Sequence, residues 1–271
     1  MQNLSIGVAG VSGHMGTMIV RKVMETEGVA LGAGSVRPGS AYEGIDIGKI
    51  CKTEALKLPA TANALELFET TDVVIDFTLP DAVDAHAKAA RASKTPWIVG
   101  TTGVNGSGEA ALCDAAKLAP VVFAPNMSLG VNLLFVLVEQ VARALDDDFD
   151  IEIFEIHHNR KIDAPSGTAL GLGRAAALGR GVEFDSARMA SREGHTGTRE
   201  KGKIGFAALR GGDIVGDHSV IFAGAGERLE IAHKAAGRHI YAAGAVRAAQ
   251  WTVGRDPGLY DMKDVLGLKS Q

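Results

Sequence analysis

Short β-branched runs alternate with alanine-rich helical stretches from residue 4 to about residue 124. The apolar runs predict strands at 4–9, 29–36, 72–77, 96–100 and 120–124. Helical patterns lie between them at 15–27, 64–69, 81–92 and 107–118. This alternation is typical of an α/β fold, a parallel sheet with helices on both faces, in which a ligand lies at the carboxyl ends of the strands.

The pattern changes after residue 126. A helix is predicted at 129–145, and strands then follow one another at 150–158, 204–209, 219–223 and 228–234. The last strand alternates, with Leu229, Ile231 and His233 on one face. One helix is predicted at 165–178 and a final one at 239–253. This second region is therefore predicted to be an α+β domain with an open mixed sheet.

Three glycines, Gly10, Gly13 and Gly16, follow the first predicted strand and open the first predicted helix. Glycine lets such a turn close and lets the backbone approach a pyrophosphate, while the helix start offers N–H donors. The spacing is G-x-x-G-x-x-G rather than G-x-G-x-x-G, and a glycine-rich turn without a ligand is the alternative. Its place in a βαβ series favours a Rossmann-like dinucleotide site.

The second predicted strand ends at Gly34-Ser35-Val36-Arg37 without the acidic residue that an NAD-selective site would usually place near the ribose hydroxyls. Arg37 could instead meet the adenosine phosphate of NADPH. We therefore expect NADPH to be accepted well and any preference for NADH to be weak. The alternative is that Arg37 is a solvated loop charge.

A cationic cluster ends the strand at 150–158, where His157, His158 and Lys161 precede a Ser-Gly-Thr helix start. In a regular strand His157 shares a face with Ile153 and Glu155, and His158 lies on the other face. Both histidines can reach one pocket if the chain leaves the strand at His157. Histidine exchanges protons near neutral pH, and a helix N-terminus binds anions, so the cluster indicates proton transfer on a small acidic molecule. A polar pair at a sheet edge is the alternative.

Composition narrows the possible partners and location. The 271 residues are 46% hydrophobic and 22% charged, with a net charge of −4, which gives no general attraction to nucleic acid. Two cysteines, Cys51 and Cys113, suit a reduced, cytoplasmic protein. The N-terminus runs straight into a strand pattern without a secretory signal, and the longest apolar run, 133–138, is too short to span a membrane.

The sequence also resembles a known family. The segment at 157–169 reads HHNRKIDAPSGTA, and similar matches are VAGVSGHMG at 8–16, VGTTG at 99–103, APNMS at 124–128, LRGGDIVGDH at 209–218 and PGLYDM at 257–262. These segments resemble the dihydrodipicolinate reductases nearly end to end. The resemblance implies NADPH- or NADH-dependent reduction of a cyclic dicarboxylic imine, 4-hydroxy-tetrahydrodipicolinate, in diaminopimelate and lysine biosynthesis. Hydride addition to such a conjugated imine leaves an enamine that must gain a proton.

The same resemblance implies roles for individual residues. His157 would donate and accept the proton, Lys161 would act as a proton donor, and substrate contacts would come from His158, Ser166, Gly167 and Thr168. Cofactor contacts would come from three loops and Arg37: Gly10, Val11, Ser12, Gly13, His14, Met15; Gly100, Thr101, Thr102; and Ala124, Pro125, Asn126, Met127. Without the family, the last two loops would be ordinary turns.

Further implications concern organisation. The resemblance implies a dinucleotide-binding domain at 1–127 with 239–271, a substrate-binding and oligomerisation domain at 128–238, and a homotetramer assembled through the second domain's sheet. From the residues alone, structural roles are favoured for Asp163 and Ser166, with Asp163 capping the helix and Pro165 in its first turn.

Two rival functions remain open, and a metal site is not expected. The other histidines, His14, His86, His195, His218 and His233, lack metal-ligand spacing. A semialdehyde dehydrogenase would need a nucleophilic cysteine, and neither Cys51 nor Cys113 is near the histidines in sequence. A nucleotide-sensing binding protein would not be expected to keep a proton donor beside an anion cradle.

Overall fold

The computed structural model describes residues 3–190 and 192–268. The chain divides into two compact units. The first unit comprises Met1–Leu129 and His239–Gln271, and the second comprises Gly130–Arg238. Within the described residues, no helix is both long and apolar enough to cross a membrane.

The strands of the described residues are, in chain order, β1 (Leu4–Ala9), β2 (Val29–Gly34), β3 (Val73–Asp76), β4 (Trp97–Val99), β5 (Pro120–Phe123), β6 (Asp150–His157), β7 (Arg188–Met189), β8 (Ile204–Arg210), β9 (Gly216–Ala223), β10 (Arg228–Ala235) and β11 (Gly258–Tyr260).

The α-helices are α1 (His14–Met24), α2 (Ile47–Cys51), α3 (Ala64–Glu69), α4 (Val83–Ser93), α5 (Gly106–Ala115), α6 (Leu129–Ala144), α7 (Gly167–Arg180), α8 (Phe184–Ala187), α9 (His239–Trp251) and α10 (Met262–Val265). A 3₁₀ turn, Pro80–Ala82, precedes α4.

The first unit contains a six-stranded sheet in the order β11-β5-β4-β3-β1-β2, and every strand pair in it is parallel. All four residues of β3 are buried, because helices cover both faces of such a sheet. The chain runs outward from β1 to β2 and then returns to β3 on the other side of β1. The carboxyl ends of β1 and β3 therefore form the switch point at which open α/β sheets bind ligands. The predicted parallel sheet is confirmed.

The strand β11, which pairs with β5 at the sheet edge, was not predicted from the sequence pattern. Its three residues follow Pro257 and include Gly258, so local composition resembled a turn. The helix α9 packs in the same core as α1 and β1, through buried alanines and Val246.

The second unit contains a five-stranded mixed sheet in the order β10-β9-β6-β8-β7. The pairs β10–β9 and β9–β6 are antiparallel, and the pairs β6–β8 and β8–β7 are parallel. Buried and partly buried positions alternate along β6. The buried face packs on α7 through residues that include Ile153, Phe206 and Leu172, so one sheet face is covered by helix. The predicted open mixed sheet is confirmed.

Candidate active site

The glycine-rich turn between β1 and α1 leaves no room for side chains at its closest approach. Gly10 has φ +73°, and the N–H of Gly13 donates to the carbonyl of Gly10 at 2.9 Å. A Cβ built on Gly16 would lie 2.1 Å from that same carbonyl oxygen. Gly13 is the N-cap of α1 and supplies no side-chain hydrogen bond. The first amides of α1 are thus left for an anion, which suits a dinucleotide pyrophosphate.

Asp76, the last residue of β3, is a buried polar feature that the sequence analysis missed. Its Oδ2 lies 2.6 Å from Nδ1 of His86 and accepts from the indole N–H of Trp97 at 3.2 Å. Its Oδ1 accepts from the N–H and the hydroxyl of Thr78 at 2.9 and 2.6 Å. Burial raises the pKa of Asp76, but the charge and hydrogen bond of His86, with the bonds from Thr78, outweigh burial and lower it. The carboxylate therefore ties the Phe77–Thr78 turn to α4 and β4.

This Phe77–Thr78 turn packs against two of the predicted cofactor loops. A Cβ on Gly10 would lie 3.0 Å from the Thr78 methyl group, and one on Gly100 would lie 2.3 Å from the Phe77 ring. The turn is therefore part of the same carboxyl edge as the glycine-rich turn.

Two of the three predicted cofactor loops follow β4 and β5 on this edge. Thr101 is buried, and its hydroxyl oxygen has no hydrogen-bond partner within the described residues. A buried hydroxyl without a partner fits a polar ligand group beside it. Thr102 and Pro125 are exposed, Asn126 is half-buried, and Ala124 and Met127 are buried. The hydroxyl oxygen of Thr101 therefore indicates that a polar ligand group binds at this edge of the sheet.

Arg37 lies just beyond β2 and is exposed. Its side chain makes no hydrogen bond or ion pair within residues 3–190 and 192–268. The backbone of Val36 donates instead to the carbonyl of Thr61 at 2.9 Å. The guanidinium of Arg37 therefore has all its N–H donors available to bind a phosphate.

In the second unit, β6 ends at His157, and the predicted face assignment is correct. Ile153, Glu155 and His157 lie on the buried face, and His158 follows after the strand has ended. Nδ1 of His157 lies 2.5 Å from Oε2 of Glu155. A strand places residues i and i+2 on one face, and this spacing brings the carboxylate to the imidazole.

Glu155 is 1% exposed and is surrounded by donors. Arg210 donates to its two oxygens, Nη1 to Oε2 at 2.9 Å and Nη2 to Oε1 at 3.0 Å. The N–H of Ser166 donates to Oε1 at 3.1 Å. Burial raises the pKa of Glu155, but the hydrogen bonds from Arg210, His157 and Ser166 outweigh burial and lower it. The carboxylate is therefore ionised at neutral pH.

His218, on β9, completes this buried group. Its ring centroid is 5.0 Å from that of His157, and its Nε2 lies 3.0 Å from the hydroxyl oxygen of Ser166. Burial, together with the nearby charge of His157, lowers the pKa of His218 to about 4. His218 is therefore neutral at pH 7, and it adds no cation beside His157.

Ser166 has a structural role, as favoured from the sequence, whereas the role of Asp163 differs from the one expected. Ser166 is the N-cap of α7, and its hydroxyl accepts from the N–H of Ala169 at 3.1 Å. The prediction that Asp163 caps the helix is wrong, because the helix begins at Gly167, beyond the reach of Asp163. Asp163 instead pairs with Lys161, whose Nζ lies 2.8 Å from its carboxylate. Pro165 precedes the cap rather than occupying the first turn.

The remaining predicted substrate residues lie on the same loop and helix start. Lys161 and Thr168 are half-buried and Gly167 is exposed, while His158 is half-buried with Nδ1 lacking a hydrogen-bond partner among the described residues. Partial burial and the nearby positive charge of Arg160 lower the pKa of His158. The neutral form of His158 is favoured, so it suits a hydrogen bond to a polar substrate better than a second charge.

The structure therefore brings together His157, Lys161, Ser166 and the start of α7 on one unit. Three residues of this buried group were not singled out as site residues from the sequence: Glu155, Arg210 and His218. Glu155 carried a signal, because it lies two residues before His157 on the same face. Arg210 and His218 are more than fifty residues away along the chain, and strand register alone brings them in: Arg210 is the β8 partner of His157, and His218 is the β9 partner of Glu155. Within the described residues, no group of three or more His, Cys, Asp or Glu side chains could hold a metal ion.

Both units of the chain match the same family of known proteins. The family model for "Dihydrodipicolinate reductase, N-terminus" matches residues 4–127, and that for "Dihydrodipicolinate reductase, C-terminus" matches residues 130–266. A 4-hydroxy-tetrahydrodipicolinate reductase of Thiobacillus denitrificans is 49% identical over 98% of this chain and 100% of its own length. One from Rhodopseudomonas palustris is 50% identical over 99% of each chain.

Solved structures support the fold. A dipicolinate-bound dihydrodipicolinate reductase from Paenisporosarcina sp. TG-14 has a TM-score of 0.76 at 22% identity, covering 96% of this chain and 98% of its own. An amine dehydrogenase from Mycobacterium smegmatis has a TM-score of 0.58 at 11% identity, covering 98% of this chain and 97% of its own. At these identities the similarity concerns the fold alone.

Proposed function

The chain belongs to the dihydrodipicolinate reductase family, and from that premise we propose that it reduces 4-hydroxy-tetrahydrodipicolinate to tetrahydrodipicolinate with NADPH or NADH, in diaminopimelate and lysine biosynthesis. The observation that carries the proposal is the buried His157, held by an ionised carboxylate on the same unit as Lys161 and a helix N-terminus. A proton donor beside an anion-binding helix start suits a dicarboxylate that must be protonated as it is reduced.

The first unit would hold the dinucleotide. The uncapped start of α1 suits the pyrophosphate, and the closed turn from Gly10 to Gly16 lets the backbone approach it. The buried hydroxyl of Thr101 suits a polar group of the nicotinamide half, and Arg37 suits an adenosine phosphate. When bound, the reduced dinucleotide supplies the hydride.

The second unit would hold the dicarboxylate and supply the proton. The N–H groups at Gly167 and Thr168 suit one carboxylate, while Lys161 and His158 suit the other. We assign proton donation to His157, through Nε2, and a second proton-donor role to Lys161. Loss of the 4-hydroxyl group as water gives the conjugated imine, and hydride on one carbon with a proton on another then completes its reduction to tetrahydrodipicolinate. Ser166 stabilises the helix start through its cap.

The sheet of the second unit supports the proposal of a homotetramer. Its face opposite α7 carries Phe154, Ile156 and Ile221, all half-buried, and Leu209, which is 48% exposed. The strand register puts these four side chains on one face. An exposed apolar sheet face of this kind is typical of an association surface. A cytoplasmic location is proposed from the reduced cysteines and the biosynthetic role.

The test follows the absorbance of NADPH with substrate formed in situ by condensing pyruvate with aspartate semialdehyde. We expect NADPH to be consumed with the condensation product and NADP⁺ not to be reduced by aspartate semialdehyde with phosphate, which separates the proposal from a semialdehyde dehydrogenase. His157→Gln and Lys161→Ala should each lower kcat by at least about tenfold while NADPH still binds, because general acid catalysis typically contributes ~10²–10⁴. Full turnover in either variant would contradict its assigned role, and no turnover by the wild type would refute the function.

A further inference from the structure

We propose that Glu155 is a positioning residue: it holds the hydrogen of neutral His157 on Nδ1 and so makes Nε2 the atom that exchanges the catalytic proton. The proposal rests on the proposed role of His157. No sequence signature assigns Glu155, and its contacts with the ring are visible only in the folded second unit.

Glu155 acts as a hydrogen-bond acceptor toward the ring of His157. Three donors besides His157 point at its carboxylate: two N–H groups of Arg210 at 2.9 and 3.0 Å and the N–H of Ser166 at 3.1 Å. An arginine and a backbone amide cannot accept a hydrogen bond, so each contributes a hydrogen and the carboxylate contributes none. An ionised carboxylate has no hydrogen to give to Nδ1. The hydrogen in the 2.5 Å contact therefore belongs to Nδ1 of His157.

The other ring nitrogen of His157, Nε2, is left to exchange the proton. In a neutral imidazole one nitrogen carries the hydrogen and the other carries the lone pair, so a hydrogen on Nδ1 leaves Nε2 as the base. Nε2 of His157 makes no hydrogen bond within the described residues. It faces Gly216, where a Cβ would lie only 2.7 Å away. Glycine at this position therefore keeps a side chain from covering Nε2.

Glu155 and Arg210 balance the charge of the site as His157 gains or loses a proton. When Nε2 gains a proton, the imidazolium lies beside the Glu155 carboxylate, which offsets its charge in a site that is 1% exposed at Glu155 and 9% exposed at His157. When Nε2 gives the proton away, the Nδ1 bond to Glu155 persists, and the ring keeps its orientation. A fixed hydrogen bond at one nitrogen is how a carboxylate directs proton exchange to the other. Arg210 compensates the carboxylate in both states.

A purely structural role is the competing account, because Glu155 also joins β6, β8 and the start of α7. A double-mutant cycle separates the two accounts. If Glu155 acts through the imidazole of His157, replacing Glu155 lowers kcat only while that imidazole is present. If Glu155 only supports the fold, replacing it lowers kcat by the same factor with and without the imidazole.

The experiment measures kcat and KM for Glu155→Gln, His157→Gln and the double variant. Glu152→Gln is the control, since Glu152 lies on the opposite face of β6 and pairs with Arg192 and Arg199. We expect Glu155→Gln to lower kcat at least about tenfold in the wild type and less than about twofold in the His157→Gln background, with KM little changed. Glu152→Gln should leave kcat unchanged. An equal loss in both backgrounds, or full kcat in Glu155→Gln, would overturn the proposal.

A second measurement tests the proposal even if Glu155→Gln does not fold. ¹⁵N NMR of the histidine rings in the wild type, at a pH that leaves His157 neutral, should report the hydrogen on Nδ1. A hydrogen on Nε2 would refute the proposal without any variant. If His157→Gln alone leaves kcat unchanged, the proposed role of His157 fails, whereas the NMR result still decides what Glu155 does to the ring.

Discussion

Replacement of Gly16 by alanine tests the dinucleotide site in the first unit. The new methyl group would lie 2.1 Å from the carbonyl oxygen of Gly10, and real Cβ atoms essentially never approach closer than 3.0 Å. The turn or the start of α1 must therefore move by about 0.9 Å, because the methyl group would meet backbone atoms of Gly10 and Val11 and not the end of a flexible side chain. Such overpacking typically costs ~1–3 kcal/mol of stability.

The same movement weakens binding, because the N–H groups at the start of α1 no longer point at the pyrophosphate. Losing one hydrogen bond to a charged group costs roughly 1.5–3 kcal/mol. Since 1.4 kcal/mol corresponds to about tenfold in affinity, we expect the Kd for NADPH to rise roughly 10- to 100-fold. Isothermal titration calorimetry measures the Kd, and circular dichroism on heating shows that the variant is folded.

Gly106→Ala is the matched control, because Gly106 is the first residue of α5 and a Cβ there would meet nothing within 4 Å. This variant should bind NADPH as the wild type does and should be as stable or slightly more stable. If Gly16→Ala is folded and its Kd for NADPH equals that of Gly106→Ala, the turn does not hold the pyrophosphate.

Three further predictions concern other parts of the chain. Arg37→Ala should raise the KM for NADPH several-fold and leave that for NADH unchanged, because only NADPH carries the adenosine phosphate; unchanged kinetics with both would mean that Arg37 is a solvated loop charge. Burial lowers the pKa of His86, but the hydrogen bond and charge of Asp76 outweigh burial and raise it. The stability that this pair contributes is therefore complete below about pH 6.5, the pKa of an unfolded histidine, and is lost as the pH rises through the raised pKa of folded His86. The Tm of the wild type should fall over that pH window, and the Tm of His86→Gln should not. Ser166→Ala removes the cap bond to Ala169 and should lower the free energy of unfolding by ~1 kcal/mol, which urea denaturation measures; no loss would mean that water replaces the cap.

The local pattern along the chain was sufficient to predict most elements. The strand β1 and the helix α3 were predicted with the bounds that the structure gives, and most other bounds differ by one to three residues. The face of β6 was also predictable, because side chains alternate with a period of two whatever the strand pairs with. Short elements such as β11 and α10 were missed, since three or four residues carry too little periodicity to distinguish them from turns.

The sequence by itself determined the α/β pattern of residues 4–124, the change to an α+β pattern after it, the glycine-rich turn and the histidine–lysine cluster, because each depends on residues close together in the chain. Tertiary structure alone decided the partners that give these residues their chemistry. Arg210 reaches Glu155 through the register between β6 and β8, and the buried pair of Asp76 and His86 forms because α4 folds back over β3. Register and packing join residues that are distant in sequence, and the burial that changes their pKa exists only once the chain has folded.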